Sequence, residues 1–386
     1  MNNNKPLQIT VDLTEDGLLP VNVLADASGL TKAQVKDAML KGAVWLTKQL
    51  PAIKLKPKVV KPPEVEEAFE EPDYYGVRAR ALENQALKSK GLPLDEPMSG
   101  LHENKDEREG VASVSDKADK ADKAIGEKAK PAAPRFSKPR RLRRIKSQLK
   151  AGDQLTLNYD ADVLAGSCPD ATLIADEGSY SIWYKPAGML CQGSRWGDHT
   201  TLNRWAEKHL VPERTAFIVH RIDRMAAGLV VLAHSKKAAA YLAKQFADRK
   251  VKKTYRVIVA GNVELPLPHI IDSDIEGKTA RTIITQKACL KEPPQTLVSV
   301  GGTFSVLDIS IETGRKHQIR RHLSLLGYPV LGDRLYGGAS TELDNSHPSD
   351  LQLVAISIGF ATPDSEEHKH YYLPEELANH KREPIG

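Results

Sequence analysis

The sequence predicts an α+β fold whose larger part, residues 176–375, is built around a mostly antiparallel sheet. Two observations predict it. Segments rich in β-branched residues outnumber segments with helical periodicity in this part of the chain, and Gly or Pro separates many of them. Five strands are predicted, at residues 180–184, 228–233, 254–260, 303–312 and 351–360.

Helices are predicted from capping patterns and from the spacing of apolar residues. Near the N-terminus, residues 31–34 have the form of a capping box. Val35, Ala38 and Met39 then share one helical face, and Gly42 is a plausible end of the helix. In the second half, helices are predicted at residues 201–210, 236–246 and 316–326.

The composition is that of a folded protein with a polar surplus. The chain has 386 residues, of which 40% are hydrophobic and 27% are charged, and its net charge is +5. This length suggests two or three domains. No window approaches the roughly 18 apolar residues of a membrane span, and the first residues lack the apolar core of a signal peptide. We therefore expect no association with membranes.

The cysteines point to a reducing compartment. Cys168, Cys191 and Cys289 lie far apart in the sequence, and the chain has no C-x-x-C pair. We therefore expect neither a disulfide framework nor a cysteine-based zinc site, and we predict a cytoplasmic protein.

The middle of the chain differs in composition from its ends. Residues 76–135 contain no aromatic side chain and only four Val or Ile residues, too little apolar area to offset the entropy of the chain. An Asp-Lys-Ala triplet occurs three times over residues 116–124. We predict a flexible charged insertion at residues 55–134, disordered or partly helical, between a folded segment at 1–54 and a basic segment at 135–165.

The basic segment begins with a run of cations. Residues 135–150 contain eight Lys or Arg residues and no acidic residue. A solvated linker is one interpretation, and a surface that follows a phosphate backbone is the other. A turn at Gly152 and Asp153 leads into a predicted strand at residues 155–159.

A candidate catalytic carboxylate lies in the pentapeptide His220-Arg221-Ile222-Asp223-Arg224. It precedes a predicted buried strand, which places Asp223 at the entrance of that strand. Neighbouring cations favour the ionised form of a carboxylate, which can then act as a nucleophile or general base. A structural ion pair is the alternative. A protein-kinase catalytic loop is excluded, because the order here is H-R-I-D and no Gly-rich phosphate loop accompanies it.

Three further segments are candidates for the same site. Residues 314–322 place cations at a helix start, which suits phosphate binding, although a solvated helix face is the alternative. The two histidines there are five residues apart and do not share a helix face well, so we expect no metal site. Tyr255 lies among cations, as stacking on a base requires, or it is an ordinary strand aromatic. Residues 332–338 are predicted to form a rigid turn near the site.

The order of these segments resembles one known family. The series H-R-I-D-R, K-T-Y-R-V, T-G-R-K-H-Q-I-R-R-H and G-Y-P-V-L-G-D-R-L-Y-G closely resembles the RluA-type pseudouridine synthases over residues 176–375, and residues 185–188 match the first motif of that family. Residues 17–50 and 139–159 resemble the two halves of an S4 RNA-binding module, which forms a small α/β domain. The long insertion between the halves departs from that module.

The resemblance implies a reaction and the residues that perform it. Pseudouridine synthases detach uracil from its ribose, turn it and rejoin it through C5, with no metal or external cofactor. By position, Asp223 matches the catalytic aspartate (nucleophile or base), Tyr255 matches the aromatic residue that stacks on the flipped base, and Arg320 matches the basic residue that pairs with the aspartate. The residues expected to bind RNA are Lys185, Arg221, Arg224, Lys316, His317, Lys36, Arg141, Arg143 and Arg144.

The expected substrate is large-subunit ribosomal RNA, with transfer RNA second, and the chain is expected to act as a monomer. Two other classes stay open. Ala226 and Ala227 stand where the family usually has Thr and Ser, which fits an RNA-binding or ribosome-assembly factor that has lost catalysis. The intact catalytic residues argue against that class. The other class is a hydrolase that uses Asp223 with His220 or His317. The sequence contains neither a nucleophile elbow with Ser or Cys nor a set of metal ligands that would support it.

Overall fold

The computed structural model describes residues 5–51, 135–290, 303–337 and 351–378, and the structural statements below refer to these residues. The insertion predicted at residues 55–134 lies outside them. Within the described residues, no helix is long and apolar enough to cross a membrane.

An N-terminal module, residues 7–47 and 140–159, combines two helices with a four-stranded antiparallel sheet. The strand order is β1-β6-β2-β5, so strands from both sides of the insertion alternate in one sheet. The elements of the module and its borders are β1 (Leu7–Asp12), α1 (Pro20–Ser28), α2 (Lys32–Leu40), β2 (Val44–Thr47), β3 (Gln49–Leu50), β4 (Arg135–Phe136), β5 (Arg140–Arg141), β6 (Gln154–Tyr159) and α3 (Ala161–Ala165).

The predicted helix after residue 31 is confirmed, and its cap explains where it begins. The Thr31 hydroxyl accepts a hydrogen bond from the Gln34 N–H, and the Gln34 side chain accepts one from the Thr31 N–H. Val35 and its neighbours on that face are fully buried in the core of the module. Helix α1 was not predicted: it begins at Pro20, and its N-cap residue, Leu19, has no polar side chain that could cap it.

The second part of the chain is built on a large sheet, and the predicted α+β class is confirmed. Its main strand order is β12-β13-β14-β11-β15-β10-β8-β7, and every neighbouring pair is antiparallel except β10 and β15. The elements are β7 (Thr172–Asp176), β8 (Tyr180–Lys185), α4 (Leu202–His209), β9 (Phe217–Ile218), β10 (Ala227–Ala233), α5 (Lys236–Ala247), β11 (Lys252–Ala260), β12 (His269–Asp272), β13 (Arg281–Leu290), β14 (Phe304–Ile311), α6 (Gln318–Leu325), β15 (Leu353–Ala361), β16 (His368–Tyr372) and a 3₁₀ turn (Glu375–Leu377).

The parallel contact between β10 and β15 requires a glycine. Gly228 pairs with Ala355 and has a φ of +114°, a backbone conformation that other residues rarely adopt. A Cβ atom at this position would lie 2.3 Å from the Ala355 carbonyl oxygen. The close approach fixes the start of β10, and with it the loop that carries Asp223 just before the strand.

The helix predicted at residues 316–326 begins later, at Gln318. The reason is local: His317 has a φ of +54° and a ψ of +31°, which is left-handed and cannot continue a right-handed helix. Ile319 and Leu323 of α6 are buried in the core. Its N-terminal end therefore points the His317 side chain and the Arg320 side chain towards the same cleft.

Candidate active site

A cleft of about 460 Å³ lies where the loop before β10, strand β11 and helix α6 meet. The three predicted catalytic side chains, Asp223, Tyr255 and Arg320, all line it. They come from three separate elements, so the fold brings together residues that are up to 97 positions apart. A second cleft, of about 340 Å³, adjoins the first and shares Asp223, His317 and Arg320 with it.

Asp223 lies between two nitrogen-bearing groups. Its Oδ2 atom is 3.3 Å from Nη1 of Arg320, and its Oδ1 atom is 3.9 Å from Nε2 of His317. About a quarter of its side chain is exposed, at 26%. The turn that carries it is closed by the Ala226 N–H, which donates to the Asp223 carbonyl oxygen over 3.2 Å. The carboxylate is therefore held in place but open to the cleft.

Arg320 is held by a second carboxylate that the sequence analysis did not assign to the site. Asp333 accepts hydrogen bonds from Nε and Nη2 of Arg320, both at 2.7 Å. Asp333 Oδ1 also accepts from the N–H groups of Leu335 and Tyr336, at 2.9 and 3.1 Å. Its side chain has no exposure. A bidentate pair of this kind fixes both the position and the plane of a guanidinium group.

The pKa values of this pair move apart. Burial alone would raise the pKa of Asp333, but the hydrogen bonds from Arg320 and from two N–H groups hold it below its usual range. Burial would likewise lower the pKa of Arg320, but Asp333 and then Asp223 raise it above its ordinary value. Both groups therefore stay charged, and Arg320 presents a permanent cation to Asp223.

Tyr255 forms part of the cleft wall and of the core beneath it. The side chain is only 9% exposed and belongs to an apolar cluster with Ala226 and Val257. Burial, followed by the negative charge of Asp223, raises the pKa of Tyr255 well above its ordinary value. At neutral pH this residue is therefore a phenol, which can donate a proton or a hydrogen bond but does not act as a base.

His317 faces Asp223 and lines both clefts, and its predicted contact with RNA stays a prediction. Its Nδ1 atom lies 2.9 Å from the Tyr336 hydroxyl, and the two rings meet edge to face at 5.6 Å. Burial lowers the pKa of His317, and the cations Arg320 and Lys316 lower it further, although Asp223 opposes them. A neutral imidazole therefore lies beside the carboxylate.

The structure contradicts the prediction that Lys185 binds RNA. The side chain is fully buried, and Nζ donates to the carbonyl oxygens of Pro186, Met189 and Arg224 at 2.9, 2.8 and 3.1 Å. Burial lowers its pKa to about 8. Its ammonium group ties the turn after β8 to the residue that follows Asp223, so it supports the loop and does not reach solvent.

Arg141 and Arg143 also have intramolecular partners. Nε of Arg141 lies 3.1 Å from Oδ2 of Asp198, and Nη2 of Arg143 contacts the same oxygen. The Arg141 guanidinium group stacks on Trp45, 4.3 Å from the ring centroid. Both guanidinium groups face a carboxylate that is only 8% exposed and that belongs to the loop before α4, while 17% of the Arg141 side chain and 24% of the Arg143 side chain are exposed. Their contact with RNA stays a prediction.

The remaining predicted RNA-binding side chains lie at the surface. Arg221 and Arg224 are exposed, and they line the first and the second cleft respectively. Lys316 is exposed and lines neither cleft, although its neighbours in the sequence, Arg315 and His317, line the first one. Lys36 and Arg144 are exposed on the N-terminal module. Arg224 Nε donates to the Gly188 carbonyl oxygen over 3.0 Å, which restrains it partly. In the described residues, no group of three or more His, Cys, Asp or Glu side chains could hold a metal ion.

Comparison with known proteins identifies the family. Residues 179–325 match the family model "RNA pseudouridylate synthase". The chain is 33% identical over 211 residues to the tRNA pseudouridine synthase C of Haemophilus ducreyi, a match that covers 45% of this chain and 84% of the relative. This chain belongs to the RluA-type RNA pseudouridine synthases. It is also 31% identical to the dual-specificity RNA pseudouridine synthase RluA of Vibrio parahaemolyticus, over 49% of this chain and 77% of that protein.

The synthase family also includes a relative named for ribosomal RNA. The chain is 34% identical to the ribosomal large subunit pseudouridine synthase D of Zymomonas mobilis, over 45% of this chain. The match spans just over half, 56%, of that relative's length. The region matched by the family model contains Asp223, Tyr255 and Arg320 but ends before Asp333. The G-D-x-x-Y-G turn was the sequence signal that could have assigned Asp333 to the site.

Proposed function

We propose that this synthase converts uridine to pseudouridine in structured RNA, with Asp223 as the catalytic carboxylate. The observation that carries the proposal is the placement of Asp223 in a cleft, 3.3 Å from Arg320 and next to the neutral Tyr255. An open, oriented carboxylate with a fixed cationic partner is suited to attack ribose carbon or to remove a proton from ribose.

The reaction balances without a cofactor. The bond between N1 of uracil and C1′ of ribose breaks, a bond between C5 and C1′ forms, and the proton on C5 is replaced by one on N1. Asp223 takes the part of nucleophile or base on the sugar. Because Tyr255 is a phenol at neutral pH, we assign it to contacting the flipped base and to donating a proton, not to accepting one.

The target uridine has to leave its stack to reach this cleft, which costs a few kcal/mol. The exposed cations Arg221 and Arg224 line the clefts and are suited to holding the phosphates on either side, and we assign the same role to the exposed Lys316, which precedes the cleft residue His317. We further propose that the N-terminal module is an S4-like RNA-binding module. Lys36 and Arg144 are its exposed cations from our predicted set, and they would add affinity that does not depend on sequence.

We propose large-subunit ribosomal RNA as the substrate and transfer RNA as the second candidate. Both are supported by similarity, since one relative is named for the large ribosomal subunit and another for transfer RNA. The chain is proposed to act as a monomer in the cytoplasm, where RNA substrates occur and where cysteines are kept reduced.

The missing hydroxyls at Ala226 and Ala227 do not leave the loop unsupported. Ala226 is 1% exposed and packs in the same apolar cluster as Tyr255. The Ala226 N–H donates to the Asp223 carbonyl oxygen, and Lys185 Nζ donates to the carbonyl oxygen of Arg224. Packing and these hydrogen bonds support an active enzyme over a scaffold that has lost catalysis.

The test uses purified full-length protein and two unmodified RNAs, in vitro transcribed 23S ribosomal RNA and a pool of transfer RNA transcripts. Pseudouridine is quantified in each after incubation with wild type or with Asp223→Asn. We expect pseudouridine in the 23S transcript with wild type and none with Asp223→Asn, while binding of the same RNA stays within a few-fold. Turnover by Asp223→Asn would remove this residue from the mechanism, and modification of transfer RNA alone would replace the proposed substrate.

A further inference from the structure

Lys253 on β11 carries an ammonium group in the cleft that the reaction described above does not use. It lies two residues before Tyr255, so both side chains lie on the same face of the strand, and both line the cleft with Asp223. Its side chain is half-buried, and Nζ lies 5.8 Å from the centroid of the Phe246 ring. That distance is at the outer limit of a cation–π contact, which is a weak interaction.

The described part of the chain offers Lys253 no carboxylate partner and no hydrogen-bond acceptor within bonding distance. Two acidic residues line the same cleft, but each has another partner. Asp223 contacts Arg320, and Glu312 lies 3.5 Å from Arg281. Burial lowers the pKa of Lys253, and no nearby negative charge opposes that change. Withdrawing a cation from water without a counter-charge costs free energy.

The surroundings of Lys253 favour an anion. Arg221, Arg249 and Arg315 line the same cleft, so cations outnumber acids there. A Cβ atom on Gly314 would lie 4.0 Å from Lys253 Nζ, which places the ammonium group beside the turn that leads into α6. A nucleotide that enters this cleft brings an anionic group of its own, its phosphate, and phosphate contacts are what position a nucleic acid on a protein.

We propose that Lys253 binds a phosphate group that flanks the flipped uridine, so that the cleft recognises a nucleotide and not only a base. This inference rests on the proposed function. Lys253 would act together with the exposed Arg221 and Arg249, which lie at the cleft and reach the same phosphate or the next one. A contact from Lys253 to a carbonyl group of uracil is the competing assignment, and the two make opposite predictions for a nucleoside without phosphate.

The first experiment compares uridine, uridine 5′-monophosphate and uridine 3′-monophosphate as ligands of the full-length protein in an NMR titration. For wild type we expect one of the two monophosphates to bind about tenfold more tightly than uridine, the size of a hydrogen bond to a charged group. Lys253→Gln should reduce that preference to less than about threefold. Lys253→Arg should retain part of it, because the charge remains.

Lys252→Gln is the matched control, since Lys252 is the exposed neighbour on the same strand and does not line the cleft. It should keep the full preference for the monophosphate. Equal affinity of wild type for uridine and both monophosphates, or no measurable binding of any of them, overturns the phosphate site. A preference that Lys253→Gln retains, or that Lys252→Gln loses equally, also overturns it. Equal weakening of uridine and its monophosphates by Lys253→Gln would assign Lys253 to the base.

A second readout separates binding from a structural role. Lys253→Met should leave the melting temperature of the free protein unchanged or raise it, because it removes an unpaired, half-buried cation. A fall of several degrees would show that Lys253 supports the fold. In the pseudouridine assay, Lys253→Gln should raise KM more than it lowers kcat. Wild type that prefers a monophosphate but forms no pseudouridine would leave the phosphate site standing and refute the proposed activity.

Discussion

Replacing Asp333 by Asn should weaken both the fold and catalysis, because Asp333 fixes Arg320. In the wild type the N–H groups of Leu335 and Tyr336 share Oδ1 of Asp333, and the side-chain oxygen of Asn can still accept both hydrogen bonds. The NH₂ group of Asn then faces Nε of Arg320, so two donors oppose each other. In the wild type a donor and an acceptor lie 2.7 Å apart at this point. Removing one partner of a buried ion pair costs about 3–5 kcal/mol.

The lower end of that range applies here, because Arg320 keeps Asp223 as a partial counter-charge at 3.3 Å. A loss of about 3 kcal/mol lowers the melting temperature of a domain of this size by roughly 6–12 °C. The effect depends on pH. Since the folded-state pKa of Asp333 lies below its ordinary value, its contribution is complete above about pH 4 and is lost as pH falls through the lowered pKa. The difference between wild type and Asp333→Asn should therefore shrink in acid.

Catalysis should fall as well, since Arg320 is then free to rotate towards Asp223. A displacement of about 1 Å in a catalytic group can cost about a hundredfold in rate, so we expect kcat to fall by at least about tenfold while RNA binding changes little. The matched control is Asp308→Asn. Asp308 forms a similar bidentate pair with Arg256, at 2.9 and 3.2 Å, but lines neither cleft. It should lose stability and keep kcat. Wild-type kcat in Asp333→Asn, or equal loss of kcat in both variants, would refute this reasoning.

Two further predictions concern residues that the sequence analysis assigned to RNA. Burial lowers the pKa of Lys185 to about 8 from 10.5, so between these values the unfolded chain binds more protons than the folded one. The stability of wild type relative to Lys185→Met should therefore rise over that pH interval in denaturant titrations, and a constant difference would contradict it. Asp198→Asn should speed amide hydrogen exchange in residues 193–199, because it removes the ion pairs with Arg141 and Arg143 and leaves the Arg141 hydrogen bond to the Ser194 carbonyl oxygen, while β10 stays protected. Unchanged exchange would contradict the role of these ion pairs.

The parts of the fold and of the site that could be predicted are those that a motif or a pattern of neighbouring residues in the sequence indicates. The position of Asp223 before β10 followed from the apolar run after it, and α2 followed from its capping box. Tyr255 and Arg320 were assigned through the order of motifs along the chain. These three side chains do meet in one cleft.

The parts that could not be predicted depend on contacts between residues distant in the sequence. Lys185 is separated from Arg224 by 39 positions and Arg143 from Asp198 by 55, and a positive charge in a sequence does not show whether it will face water or an internal acceptor. Strands β12 and β16 are short, and their alternation includes polar or half-exposed positions, so their patterns were too weak to detect. The late start of α6 depends on one left-handed residue, His317.

The most direct test of the account is a map of pseudouridines in cells that lack this protein, complemented with either wild type or Asp223→Asn. We predict that one or a few sites in large-subunit ribosomal RNA disappear in the deletion strain. Wild type should restore them, and Asp223→Asn, expressed at the same level, should not. An unchanged map, or restoration by Asp223→Asn, would contradict the claim that this cleft isomerises uridine through Asp223.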